Sequence, residues 1–253
     1  MSMAAHGKAA DATVPETIRN GTARARRRAS VVAVVAAVAL VSWFQVIQLV
    51  VDLKPGAPAP EEPDEQFIEF FVGNLSRLPW YATLFTLQWV IMLVLFVAVV
   101  RATCSRFDLA AIAALALAGA ATAVYVLAEG ILSWPTVQAG ITAEAVRHSL
   151  DPGVARALVE SRDGLHAPAA LRLGVAVLLI GWLLLSSRLW GHWVMATLSL
   201  LCGALAMSSI VVGPGGLGSG LIFLVWGIVV PIMLLGGLRR ANAETEATHP
   251  GNA

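Results

Sequence analysis

Glu129 is the ionisable residue whose surroundings suit it least in this chain of 253 residues. It lies in "AVYVLAEGILSWP", residues 123–135, with more than two apolar residues on either side. A charge inside a lipid-soluble helix is expensive, and by default it raises a functional hypothesis. Tyr125 is four residues earlier and therefore on the same helical face, within hydrogen-bonding reach. Gln45, Gln48 and Gln88 are the other large polar side chains inside apolar segments. Arg172 begins a further segment, where its long stem lets the charged head snorkel to the surface.

Two readings of this set stay open. In the first, the side chains line a polar cavity facing outwards. Glu129 there binds a proton, a cation or a basic substrate group, and Tyr125 and the glutamines supply hydrogen bonds. In the second, Glu129 is hydrated near the outer interface or paired with Arg172 or Arg77. The polar groups then act as glue between helices, worth about 0.6 kcal/mol on average.

Other chemistry is thinly represented. Glu144 and His148 are four apart on one helical face, and Asp163 and His166 follow. Histidine with carboxylates suits a divalent ion, although Glu144 pairing with Arg147 or His148 explains the spacing equally well. His192 is the one histidine within the helical region besides these loop residues, so haem ligation at depth has no pair to use. The last lysine is Lys54, which leaves no late-helix lysine for a retinal Schiff base. "GPGGLGSG", 213–220, lacks the Lys and Ser/Thr ending of a phosphate loop. Cys104 and Cys202 fall at different depths and form no metal or redox motif. No cofactor and no catalytic set is expected.

Composition fixes the environment of these residues. The chain is 58% hydrophobic and 13% charged, about half the charge of a soluble domain. A net charge of +1 with short basic clusters argues against a nucleic-acid partner. Six stretches reach the roughly 20 apolar residues needed to cross a bilayer. They run over about 29–51, 80–100, 109–134, 171–187, 193–212 and 221–238. Backbone groups in lipid must be satisfied within their own segment, so all six are expected to be helices in an all-α polytopic bundle. The first is read as a retained helix, its apolar run being too long for a signal peptide.

"RARRR", 24–28, precedes the first segment, and Arg101, Arg106, Arg188, Arg239 and Arg240 flank the others on one side. The positive-inside rule then places both termini in the cytoplasm. Residues 1–28 are expected to be a disordered basic tail and 239–253 a second tail, with outer loops at 52–79 and 135–170. The first loop is acidic and Pro-rich, then carries Phe67, Phe70, Phe71, Asn74, Leu75 and Leu78 at helical spacing. This lid-like face either lies in the interface or packs on the tops of the membrane helices. In the second loop, Thr142 caps one short helix and Asp151–Pro152 opens another that stops near Gly164.

This layout, with its longer second outer loop and glycine-rich last turn, resembles a group of uncharacterised bacterial six-helix membrane proteins. Ala- and Val-rich helices with Arg far outnumbering Lys agree with a bacterial source, and the resemblance implies a cell-membrane location. It carries over no functional residue. The expectation is a transporter-like or small-ligand-binding protein acting near Glu129. The alternative is a non-catalytic accessory subunit contacting another membrane protein or a second copy.

Overall fold

The computed structural model describes residues 16–50, 56–104, 108–138, 142–187, 189–212 and 219–248. Among these the chain is all-helical, in eight helices. They are α1 (Glu16–Val50), α2 (Asp64–Gly73), α3 (Arg77–Thr103), α4 (Leu109–Gln138), α5 (Ala143–Ser149), α6 (Pro152–Ser186), α7 (His192–Val212) and α8 (Ser219–Thr248). Five spans are long and apolar enough to cross a membrane: Gly21–Ile47, Arg77–Thr103, Leu109–Gln138, Pro152–Ser186 and Phe223–Arg240. The sixth expected span corresponds to His192–Ser208, an apolar stretch shorter than these.

The long helices close a ring in the order α1, α3, α4, α6, α7, α8, with α8 returning to α1. Their shared core is rich in small residues: Ala33, Ala98, Ala111, Ala114, Ala118, Ala176 and Ala196 are all buried. Lipid tails are as apolar as leucine, so such helices associate through close packing rather than through the hydrophobic effect. The α6–α7 contact shows how close. A Cβ on Gly203 would lie 2.7 Å from the Gly174 carbonyl oxygen, and one on Gly174 would lie 2.8 Å from that of Gly203. Trp226 of α8 is fully buried among these residues and donates its indole N–H to Ser199 Oγ at 2.8 Å.

A second core sits at one end of the ring. Phe67, Ile68, Phe70 and Phe71 of α2 meet Val146 of α5, Ala155 and Val159 of α6, Leu78 of α3 and Leu132 of α4. Each buried phenylalanine contributes roughly 1.5–3 kcal/mol relative to exposure in water. The amphipathic face expected over 67–78 therefore packs on the ends of the long helices as a cap. Arg156 fastens the preceding loop: its guanidinium lies 2.6 Å from Asp64 Oδ1, donates to the Pro60 carbonyl at 2.9 Å and sits over the Phe67 ring.

Several expected boundaries move. Residues 16–28, expected to be disordered, form the first turns of α1. Arg26 explains part of this, donating to the Ala102 and Thr103 carbonyls at 2.9 and 3.0 Å and so capping the C-terminus of α3. α8 likewise runs to Thr248, into the expected tail. The expected stop near Gly164 is absent: α6 is one helix of 35 residues that passes through Gly164 and Pro168. At 1.5 Å per residue it is about 52 Å long, so about 20 Å of it extends beyond a hydrocarbon layer of about 30 Å. The cap packs against the N-terminal part of α6, at Ala155 and Val159. Thr142 and Asp151 cap α5 and α6 as expected, accepting from Ala145 N and from Gly153 and Val154 N.

Candidate functional site

The two apolar cores do not merge. On α4, Ala121 belongs to the ring core and Leu132 to the cap core; Tyr125 and Glu129 lie between them at helical spacing. On α6 the corresponding interval runs from Val159 to Leu173 and holds Arg162 and His166. On α3 it runs from Leu78 to Met92 and holds Tyr81, Gln88 and Trp89. These intervals face one another as a polar and aromatic layer between cap and ring.

Glu129 is its centre, with 2% of its surface exposed. Its Oε1 accepts from Arg162 Nη2 at 3.3 Å and lies 3.2 Å from His166 Nε2. Arg162 Nη2 also donates to the Tyr81 hydroxyl at 3.1 Å, and Nη1 to Asp163 Oδ1 at 2.8 Å. Bonds between charged partners ordinarily measure about 2.7–2.9 Å. Arg162 is thus tightly held by Asp163 and only loosely by Glu129. Among the described residues Glu129 Oε2, Arg162 Nε and Gln88 Oε1 are buried without a hydrogen-bond partner. Such atoms are uncommon in folded proteins, and each calls for an explanation.

Aromatic rings complete the layer. Tyr125 stacks on Trp89 with centroids 3.8 Å apart and planes 5° from parallel, and its other neighbour is the His166 ring at 5.3 Å. Tyr81 packs on Phe85 at 4.3 Å. Trp43 of α1 closes the side by donating to the Leu84 carbonyl at 2.8 Å. Pro168, two residues beyond His166, has no N–H to offer the Gly164 carbonyl, which loosens α6 beside the cluster.

The expected site is thus partly assembled. Glu129 and Tyr125 lie in the layer, and Gln88 is half-buried on the facing stretch of α3. Gln45 is exposed, so it does not face this layer, and the Gln48 side chain lies outside the described residues. Arg172 does not pair with Glu129; its Nη1 donates to the Pro168 carbonyl one turn back, at 3.0 Å. The ion pair to Glu129 comes from Arg162.

The outer-loop metal set is not brought together. Glu144 and His148 form an exposed pair at 4.0 Å, while Arg147 binds Glu69 of α2 at 3.1 Å. The Glu69 carboxylate raises the Arg147 pKa, chiefly by its hydrogen bond. His166 belongs to Glu129 instead, and no group of three His, Cys, Asp or Glu is placed to hold a metal among the described residues.

Arg162 and Tyr81 were missed. The signal for Arg162 was a matter of spacing along α6: Val159, Arg162, His166, Ala169 and Leu173 form one stripe once the helix is known to continue. Cys104 and Cys202 are both free.

Comparison with known protein families, with characterised proteins and with solved structures finds no match to this chain.

Proposed function

We propose that this is a multi-pass membrane protein of the bacterial cell membrane that binds a proton or a small polar solute at Glu129, in the manner of a transporter. The supporting observation is the half-used carboxylate. Glu129 is almost fully buried and both its partners crowd onto Oε1, leaving Oε2 unsatisfied. A purely structural ion pair has every reason to use both oxygens, because a buried acceptor left without a partner costs about 1–3 kcal/mol. A site that receives a ligand or water at Oε2 removes that cost when occupied.

In this reading all six apolar helices cross the bilayer, both termini are cytoplasmic and the cap lies outside. The cap covers the cluster, and the weakened turn of α6 around Pro168 is where it moves. The test is reconstitution in liposomes with a screen of solute classes for pH-dependent binding or uptake. Glu129→Gln should abolish whatever the wild type binds. Wild-type protein that binds and moves nothing would sink the proposal.

A second reading, an accessory subunit without transport, draws on the exposed apolar side chains of the ring. Val38 of α1 and Ile232 of α8 are exposed and, with Val34, Val41 and Ile228, line a groove of about 240 Å³ between these helices. Co-purification of a stoichiometric membrane partner, lost on Val38→Trp, would favour it.

A further inference from the structure

We propose that the groove between α1 and α8 binds an anionic phospholipid, with an acyl chain along the groove and the phosphate between Arg27 and Arg239. The proposal is independent of Glu129 and adds a lipid site on the outside of the ring. The groove belongs to two spans apolar enough to cross a membrane, Gly21–Ile47 and Phe223–Arg240, so in a bilayer it faces hydrocarbon. Ser42 is the one hydroxyl among its lining residues. A dry pocket of about 150 Å³ holds a benzene molecule; at about 240 Å³ this groove takes a longer run of methylenes.

Spacing ties two arginines to the groove. Seven residues make two helical turns, so residues seven apart share a face. Arg27 stands seven residues before Val34, and Arg239 seven beyond Ile232. Both are exposed, and each lies about 10 Å along its helix from the groove. They also lie at the same end of the ring. Arg26 caps the C-terminus of α3, and Arg240 covers the ring of Trp190, in the link after α6, at 3.9 Å. Consecutive ring helices alternate in direction, so the ends of α3 and α6 fall on one side.

Charge at that end favours an anion. Arg24, Arg27, Arg28, Arg239 and Arg240 are all exposed there. Among the described residues its acids are Glu16, Asp108, Glu244 and Glu246. Asp108 is engaged in capping α4, accepting from Ala111 N at 2.8 Å. Glu16 precedes Arg27 by about 16 Å along α1, and Glu244 and Glu246 lie beyond Arg240, further from the groove. Basic clusters beside a membrane helix attract anionic headgroups. A second membrane helix is a poorer occupant. Helix contacts in lipid favour small residues, as at Gly174 and Gly203, whereas valine and isoleucine wall this groove. An apolar helix would also bring no anion to the arginines.

The experiment uses the full chain in detergent micelles, titrated with dioleoyl phosphatidylglycerol and separately with dioleoyl phosphatidylcholine, which has the same chains and no net charge. Native mass spectrometry counts the lipids retained per chain. Tight retention of one phosphatidylglycerol is expected, with weaker retention of phosphatidylcholine. An arginine beside an anionic headgroup is worth about fivefold in affinity. Arg27→Ala combined with Arg239→Ala should therefore weaken phosphatidylglycerol about 25-fold and leave phosphatidylcholine unchanged. Val38→Trp, at an exposed position, fills the groove and should weaken both lipids at least about tenfold, as losing about two buried methylenes would. Ile232→Trp repeats the block from α8 if Val38→Trp fails to fold. Arg147→Ala, in the cap at the opposite end, should change neither lipid.

Equal retention of the two lipids, or a phosphatidylglycerol preference that survives the double arginine variant, would overturn the headgroup site. A preference that needs the arginines but survives both tryptophan variants would reduce it to general charge attraction and overturn the groove. A membrane protein retained in place of lipid, and lost on Val38→Trp, would overturn the proposal in favour of a protein partner.

Discussion

Replacing Arg162 with leucine tests whether the polar layer is held by a buried ion pair. Leucine keeps the packing of the arginine stem but removes three contacts: Glu129 at 3.3 Å, Tyr81 at 3.1 Å and Asp163 at 2.8 Å. Asp163, with 43% of its side chain exposed, stays in contact with bulk solvent; Glu129, at 2%, does not. Breaking one side of a buried pair costs about 3–5 kcal/mol. The lower end applies here, since Arg162 keeps 18% exposure and its bond to Glu129 is long. An ordinary polar contact between membrane helices costs only about 0.6 kcal/mol to lose, so the two accounts differ several-fold.

At about 2–4 °C per kcal/mol for a chain of this size, a loss of about 3 kcal/mol lowers the melting temperature by about 6–12 °C. Thermal unfolding in nanodiscs, followed by circular dichroism, reads the shift. Adding Glu129→Gln removes the orphaned charge, so the double variant should recover at least about 1 kcal/mol relative to Arg162→Leu alone. A melting temperature within about 2 °C of wild type, or strictly additive single effects, would refute the argument.

Other expectations follow from packing and titration. Gly203→Leu should push α6 from α7, because its side chain would meet the Gly174 carbonyl and Leu178 at 2.7 Å; a loss of about 1–3 kcal/mol or more is expected by thermal melting. Gly119→Ala, with nothing within 4 Å of the new Cβ, should instead be neutral or gain about 0.5–1 kcal/mol by helix propensity. Arg156→Ala should release the 59–64 segment from α6 by removing the contacts to Asp64 and the Pro60 carbonyl, read as faster protease nicking there with the ring intact. Burial pushes the Cys104 thiol above its ordinary value, Asp108 adding to the shift and Arg26 opposing it. Less thiolate is then present at neutral pH, so maleimide labelling of Cys104 should be slower than for a free thiol and climb only at a higher pH than a free thiol needs. Fast labelling at pH 7 would contradict that.

The apolar helices were legible in the sequence because lipid-soluble composition is a strong local signal. So were the Thr142 and Asp151 caps, where one side chain and its neighbours suffice. The misplaced boundaries share a cause. Gly164 and Pro168 are local helix breakers, yet α6 continues because Ala155 and Val159 are buried in the cap and Leu173 in the ring. The start of α1 is polar, and Arg26 binds carbonyls 76 and 77 residues away. Neither contact has a signature within a window of sequence.

The site followed the same pattern. Glu129 stood out by composition, and Tyr125 by spacing from it. Arg162 lay in what read as a surface hairpin, so its pairing across 33 residues had no local trace. His166 was noticed for its chemistry and assigned the wrong partners.

The account turns on the unpaired oxygen of Glu129. A cryo-electron microscopy map of the full chain in nanodiscs, sharp enough to show ordered solvent, examines it directly. The account predicts density for a water or solute within hydrogen-bonding distance of Oε2, absent in Glu129→Leu. A map in which Oε2 is enclosed by carbon alone, or in which Arg162 turns to bind both carboxylate oxygens, would contradict it.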